Sequence, residues 1–266
     1  MGQIQDGHYA RRRFGQNFLV SPGVIGNIVR AIAPRAADNL VEIGPGLGAL
    51  TEPLLQIVDQ LHVVEIDRDL IARLKQRFPP ERLKIHEGDA LVFDFSTLGS
   101  RLRVVGNLPY NISTPLLFHL ADFADQVHDM HFMLQKEVVD RMVAEPGTAD
   151  YGRLSVMLQY RFEMERLFIV PPGSFNPAPK VDSAIVRLIP KPASALLAKD
   201  ADRFSELVRV AFGQRRKMLR NNLRGLVDEA TLLALGIAPT ARAEELTCEA
   251  YVRLANYPAI GGRPAT

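Results

Sequence analysis

The sequence predicts an α/β protein, a mostly parallel sheet with helices on both faces, followed by a small all-helical C-terminal domain. Three observations carry this expectation. Apolar runs of strand length alternate with amphipathic helical stretches from residue 22 to residue 135, the rhythm of a sheet built from strand–helix–strand units. The first strand runs straight into a glycine turn, Glu42-Ile43-Gly44-Pro45-Gly46-Leu47-Gly48. Beyond Pro190-Lys191-Pro192 the strand signals stop and only helical patterns follow. The expected domains are therefore residues 1–190 and residues 191–266.

In order, Ser21-Pro22 reads as the cap and first residue of a helix, with Val24, Ile25, Ile28, Val29 and Ile32 as its apolar face. Asn39 to Ile43 is a strand, and a helix is expected from about Ala49. Leu61 to Glu65 is a second strand that ends in an acid. Asp67 is placed to cap a helix that buries Leu70, Ile71, Leu74 and Phe78. Leu83 to His86 forms a third strand, followed by Glu87-Gly88-Asp89-Ala90. A fourth ends at Val104-Val105, and Ser113-Thr114-Pro115 starts the next helix. Strands are also expected at 127–135, 162–170 and 183–189, with a mobile loop at 145–150. After the linker, Phe204, Leu207, Val208, Val210 and Ala211 share a helix face.

Composition bounds the function classes. The chain has 266 residues, 47% hydrophobic and 23% charged, ordinary values for a globular protein. Its single cysteine, Cys248, excludes an internal disulfide and a cysteine-rich zinc site. The six histidines are scattered, so no metal is expected. No run of 18 apolar residues occurs, so no membrane span is expected. Arg11-Arg12-Arg13-Phe14 has the look of an export signal, but Gly15-Gln16-Asn17, Ser21-Pro22 and Arg30 break the apolar segment such a signal needs. A cytoplasmic protein is expected. A net charge of +2 is too small to mark a nucleic-acid binder. The clustering of the arginines says more than the sum.

The glycine turn between strand and helix lets a cofactor approach the backbone closely, and a carboxylate ending the next strand, Glu65, can accept from ribose hydroxyls. Gly44-x-Gly46-x-x-Ala49 also satisfies the dinucleotide fingerprint, so a nicotinamide cofactor competes with S-adenosylmethionine. The later strand ends favour the latter. They supply Asp89 and Asn107-Leu108-Pro109-Tyr110 rather than a hydride site and a base. Asp89 reads either as an acceptor for an adenine amino group or as an Asx turn. Asn107 and the Leu108 or Pro109 carbonyl offer two acceptors, and Tyr110 a flat face. That set matches an exocyclic amino group on a planar base, although Asn and Pro also end strands in plain turns.

Phe175, fixed in the proline-rich stretch Pro171 to Lys180, suits either a base contact or anchorage in the core. Arg11, Arg12 and Arg13 suit a solvated arm or a nucleic-acid contact. Arg215, Arg216, Lys217, Arg220 and Arg224 lie at helical spacing with almost no acids between them. Such a surface can hold phosphates without reading sequence, while a solvated helix face is the plain alternative.

Several of these motifs together resemble one family. Phe14 to Leu19, Glu42 to Gly48, Glu65-Ile66-Asp67, Asn107-Leu108-Pro109-Tyr110, Tyr151 to Val156, Phe175 to Ser183 and Ala211 to Lys217 are similar to the rRNA adenine N6-dimethyltransferases of the KsgA type. The likeness spans residues 10–257. It implies a Rossmann-like, seven-stranded S-adenosylmethionine-dependent methyltransferase sheet. The implied substrate is two adjacent adenosines in the 3′-terminal hairpin loop of 16S rRNA, met within the immature small ribosomal subunit. It also implies a cofactor pocket lined by Asn17, Leu19, Gly44, Gly46, Glu65, Asp89, Ala90 and Asn107. The catalytic set would be Asn107, Leu108, Pro109, Tyr110 and Phe175. A monomer is expected. Thr148-Ala149-Asp150 departs from the more basic loop the family suggests. The rivals are a methyltransferase of large-subunit rRNA, a non-catalytic assembly factor and a nicotinamide oxidoreductase.

Overall fold

The computed structural model describes residues 17–258 and two short preceding strands, β1 (Ile4–Gln5) and β2 (His8–Tyr9), paired antiparallel. Arg11, Arg12 and Arg13 lie outside the described residues. The elements then follow as β3 (Phe18–Leu19), α1 (Pro22–Ile32), β4 (Leu40–Ile43), α2 (Thr51–Leu55), β5 (Leu61–Glu65), α3 (Arg68–Arg77), β6 (Leu83–Glu87) and β7 (Leu102–Asn107). Next come α4 (Ser113–Asp122), β8 (Val127–Gln135), α5 (Lys136–Met142), α6 (Arg153–Arg161), β9 (Phe162–Val170), β10 (Phe175–Asn176) and β11 (Ser183–Pro190). The helices α7 (Ala201–Ala211), α8 (Leu219–Asn222), α9 (Glu229–Ala234) and α10 (Cys248–Asn256) complete the chain.

Seven strands form one sheet in the order β6-β5-β4-β7-β8-β11-β9. The pairs among β6, β5, β4, β7 and β8 are parallel, and β11 pairs antiparallel with β8. This is the Rossmann-like α/β sheet the motifs imply. Every residue of β4 is buried, as expected of a central strand covered on both faces. From β4 the chain builds outward through β5 and β6, then returns to place β7 on β4's other side. The strand order reverses there, and ligands bind such sheets in the crevice beyond the carboxyl ends at the reversal.

The amino ends of the same strands are locked by one arginine. Arg103 donates to both oxygens of Asp129 at 2.9 and 2.7 Å and to Asp38 at 2.6 Å. It also donates to the Ile32 carbonyl at 2.6 Å and, more weakly, to that of Ala33. Bonding to Asp129, against the cost of burial, raises the guanidinium pKa further above its ordinary value. A charge this enclosed is tolerable only because each of its donors is met.

The chain divides into two compact units. One runs to Val139 and takes up Glu163–Pro190; the other comprises Asp140–Phe162 and the chain from Lys191. The boundary at residue 190 matches the expected linker, but residues 140–162 depart from the expected division. Tyr151 and Val156, fully buried, join Phe204, Leu207, Val208, Leu219, Leu223 and Tyr251 in the second unit's core. The stretch expected as a mobile loop is also tied down within that unit. The Gly147 amide bonds the Glu244 carbonyl at 2.7 Å, and Arg215 donates to the Ala149 carbonyl.

Candidate active site

A cleft of about 260 Å³ opens at the carboxyl ends of β4, β5, β6 and β7. Asn17, Leu19, Gly44, Gly46, Glu65, Asp89, Ala90 and Asn107 all line it, together with Leu108, Pro109 and Tyr110. Ninety residues of sequence separation collapse into one site because four parallel strands end at the same level.

The turn after β4 sets the floor. Gly44, Gly46 and Gly48 have φ of 65°, 57° and 87°, a region that L side chains rarely enter. At Gly46 a Cβ would also stand 3.3 Å from the Phe18 ring, whereas the space beside Gly44 is open. The expected helix from Ala49 starts later, at Thr51, and is only five residues long. The turn therefore acts through open backbone rather than through a long helix dipole.

Glu65 ends β5 and is 6% exposed. Its Oε1 accepts from the backbone amides of Ile66 and Asp67, both at 2.9 Å. Burial raises its pKa above the ordinary carboxylate value, while those amides and that of Gly46 hold it down. Oε2 can accept from a ligand's hydroxyls. Asp89 follows β6, and its Oδ1 accepts from the Leu91 amide at 2.9 Å. The Asx turn and the pocket position, alternatives in the sequence, are both present. A third acid, Glu42, is also buried at the site. It is 2% exposed, accepts from Thr51 Oγ1 at 2.6 Å, and burial pushes its carboxyl up to about 7.

The acceptor corner is built at the tip of β7. Asn107 Nδ2 donates to the Asn17 carbonyl at 3.0 Å. With one Nδ2 hydrogen committed there, Oδ1 remains available as an acceptor. The Leu108 amide bonds the Met133 carbonyl on β8 at 3.2 Å, which fixes the backbone between Asn107 and the Leu108–Pro109 carbonyls that follow. Tyr110 is half-buried, and its hydroxyl shares a 2.7 Å hydrogen bond with Ser183 Oγ at the start of β11. Ser113 Oγ, at the start of α4, donates to the Tyr110 carbonyl at 3.0 Å. Burial raises the phenol's pKa, and the Ser183 bond opposes that rise. Tyr110 is a neutral, oriented ring.

A family model described as ribosomal RNA adenine dimethylase matches residues 7–259. The chain belongs to this family. Ribosomal RNA small subunit methyltransferase A of Aromatoleum aromaticum is 67% identical over 250 residues, 94% of each protein. A solved dimethyladenosine transferase from Plasmodium falciparum superposes with a TM-score of 0.78 at 29% identity, covering 89% of this chain and 95% of that one. The 23S rRNA methyltransferase ErmE follows with a TM-score of 0.67 at 27% identity, covering 90% and 98%. This dimethylase is a transferase that uses S-adenosylmethionine to methylate adenine in rRNA. Its cleft fits the donor. Open space beside the Gly44 backbone admits a chain that carries no phosphate, and Glu65 and Asp89 supply acceptors for ribose hydroxyls and an adenine amino group.

Other expected residues fall differently. Phe175 is 4% exposed and pairs with Leu19 across β10 and β3. It packs with Ile28, Val105, Met133 and Ile185 and does not line the cleft. It anchors the core rather than stacking on a base. The basic run of the dimethylase is not one helix. Residues 212–217 form tight turns, Met218 bridges to Arg242, and α8 begins only at Leu219. The cause is Leu219, fully buried, whose amide bonds the Ala241 carbonyl at 2.7 Å. Arg216 and Lys217 are exposed. Arg215, also exposed, is spent partly on the Ala149 carbonyl, and Arg220 pairs with Glu229 at 3.3 Å.

Sequence reasoning missed Ser183, Thr51 and the Asn17 carbonyl as partners of the site. A serine at a strand start and a main-chain oxygen carry no distinguishing signal. Glu42 was visible only as part of the glycine motif.

Proposed function

We propose that this dimethylase acts on the small-subunit rRNA, converting two adjacent adenosines of the 3′-terminal hairpin loop of 16S rRNA to N6,N6-dimethyladenosine within the immature subunit. The observation that carries this reading is the Asn107 amide, held by the Asn17 carbonyl so that its oxygen is the acceptor. Relatives above 60% identity bear the small-subunit name, which favours that target over the large subunit that ErmE modifies. The cytoplasm, where ribosomal subunits form, is the proposed setting.

S-adenosylmethionine, when bound, supplies an electrophilic methyl group. Glu65 and Asp89 hold its adenosine part, with Asn17, Leu19, Gly44, Gly46 and Ala90 shaping the rest of the pocket. Asn107 Oδ1 and the Leu108 carbonyl accept the two hydrogens of the adenine amino group. That amino lone pair is ordinarily delocalised into the ring. Two acceptors at fixed positions favour a pyramidal nitrogen and stabilise the positive charge that grows on it, the larger catalytic effect. Tyr110, its hydroxyl pinned by Ser183, offers its ring face to the extruded base and to the same developing charge. No side chain is required as a base, because the alkylated nitrogen is acidic enough to release its proton to water. Arg216 and Lys217 are the proposed phosphate contacts, with Arg215 and Arg220 mainly fixing the surface that presents them. Arg11, Arg12 and Arg13 are proposed to add to them.

The test is labelled methyl transfer to unmodified small subunits, naked 16S rRNA and large subunits side by side, with the product mapped by primer extension. Label confined to adjacent adenosines of the small-subunit 3′ hairpin is the expected result. Label on large subunits alone would overturn the assignment.

A further inference from the structure

The first unit carries a second cavity, of about 580 Å³, at the amino ends of the strands and thus at the opposite end of the sheet from the cleft. We propose that it is a binding site for a phosphate group, held by Arg35, Arg101 and Arg187 above a floor formed by His131.

The charge balance of the lining points to an anion. Arg35, Arg101, Arg103 and Arg187 face only two acids, Asp38 and Asp129. Both acids pair with the buried guanidinium of Arg103, and Asp38 in addition accepts from the Arg35 amide at 2.8 Å. Arg35 and Arg101 are exposed at the rim. Among the described residues Arg187 pairs with Glu165, at 3.0 Å, and that carboxylate is 61% exposed, so the pair is a weak competitor.

The floor supplies an independent observation. His131 is 3% exposed, and among the described residues neither of its ring nitrogens has a hydrogen-bond partner. Buried polar atoms are nearly always paired, and an orphan asks for an explanation such as a ligand. Among the described residues, Ala33 (φ 47°) and Arg101 (φ 54°) are the non-glycine positions in the left-handed region, and both line this cavity. Ala33 takes that conformation as the C-terminal cap of α1, its amide bonding the Val29 carbonyl. Three guanidiniums around a polar floor suit a tetrahedral oxyanion, since each guanidinium presents a fork of donors to its oxygens.

The phosphate has two sources, the backbone of bound rRNA or free inorganic phosphate. The first rests on the function proposed above, and the second does not. The experiment uses the full chain and an Arg101→Ala/Arg187→Ala variant, both away from the methyl-transfer cleft. Inorganic phosphate is titrated at constant ionic strength against chloride, and the ring resonances of the histidines are followed by NMR. A saturable shift of His131 with phosphate alone, weakened at least tenfold in the variant, is expected. No shift, an equal response to chloride, or an unchanged variant overturns the site.

A second arm measures binding of small-subunit rRNA across salt concentrations. If backbone phosphate is the occupant, the slope of log affinity against log salt falls by about one per lost contact in the variant. An unchanged slope beside a positive phosphate titration assigns the site to free phosphate. Methyl transfer to small subunits, run in parallel, reports on the cleft separately, so failure of one reading is distinguishable from failure of the other.

Discussion

Gly106 is the residue at which fold and chemistry are most tightly coupled. It sits on β7 beside β4, and an added Cβ would lie 2.6 Å from the Ile43 carbonyl oxygen and 3.0 Å from a Leu108 methyl. The first is a main-chain atom of the central strand, so no side-chain rotation relieves it. To reach an ordinary contact of 3.4 Å the two strands must part by most of an ångström, at the reversal point where the cleft opens. Overpacking of this kind costs about 1–3 kcal/mol, which lowers Tm by roughly 2–12 °C in a domain of this size. Asn107 is the next residue and moves with the strand. A 1 Å misplacement of a catalytic group costs roughly a hundredfold in rate. Gly106→Ala is therefore expected to fold, melt several degrees lower, and lose about two decades of single-turnover methyl transfer. Differential scanning calorimetry and rapid-quench transfer to unmodified small subunits measure the two effects. A variant with wild-type Tm and wild-type turnover would refute the argument that strand spacing sets the acceptor's position.

Three further expectations follow from the same geometry. Asn107→Ala should lower turnover by roughly two to three decades, the usual loss when one fixed stabiliser of developing charge is removed; undiminished single-turnover rates would take Asn107 out of that role. Arg216→Ala/Lys217→Ala should flatten the salt dependence of RNA binding by about two in slope, whereas Arg215→Ala should lower Tm, since its guanidinium ties down the loop at Ala149. The pH dependence of stability combines two opposed buried groups. His131 is held down to about 4 by burial, with Arg103 and Arg187 adding to the depression and Asp129 opposing it. The unfolded chain binds its proton first, so stability is lost as pH falls from about 6.5 toward 4. Glu42, raised to about 7 by burial with Glu65 adding and Thr51 opposing, is protonated in the fold before it is in the unfolded chain. Stability is lost there as pH rises from about 4.5 to 7. Each effect is on the order of 3 kcal/mol, so they offset across the shared window. Glu42→Gln should unmask the histidine, giving a stability that climbs with pH between 4 and 6.5; a flat profile by denaturant titration would count against His131 as the buried titrating group.

The parts of the molecule written in short-range pattern were legible in the sequence. Strands β4, β5 and β7 are mostly buried aliphatics, and the polar tips of β5 and β7, Glu65 and Asn107, stand where the apolar pattern breaks off. Parallel strands ending at one level bring those tips together, so reading the ends sufficed to assemble the cleft. Longer-range packing was not legible. Phe175 looked poised for a base because prolines flank it, yet it is buried in the core and its strand partner Leu19 lies some 150 residues away, in a two-residue strand pair that no periodicity announces. Residues 140–162 read as part of the sheet domain by position, but the apolar surface of Tyr151 and Val156 is buried by the C-terminal helices. The basic run kept helical spacing on paper, while burial of Leu219 broke the helix in front of it.

The hydrogen bond from Asn107 to the Asn17 carbonyl makes the proposed acceptor amide a composite of two distant pieces of chain. A primary amide is ambidextrous: rotated by half a turn it offers hydrogen where it had offered oxygen. Nothing in the asparagine itself chooses between these faces, and the choice is delegated to a peptide ninety positions earlier. The polarity of this proposed acceptor is thus installed only once the leading segment is seated. A molecule lacking that segment could keep every strand of the central sheet intact and still greet the adenine amino group with the wrong hand.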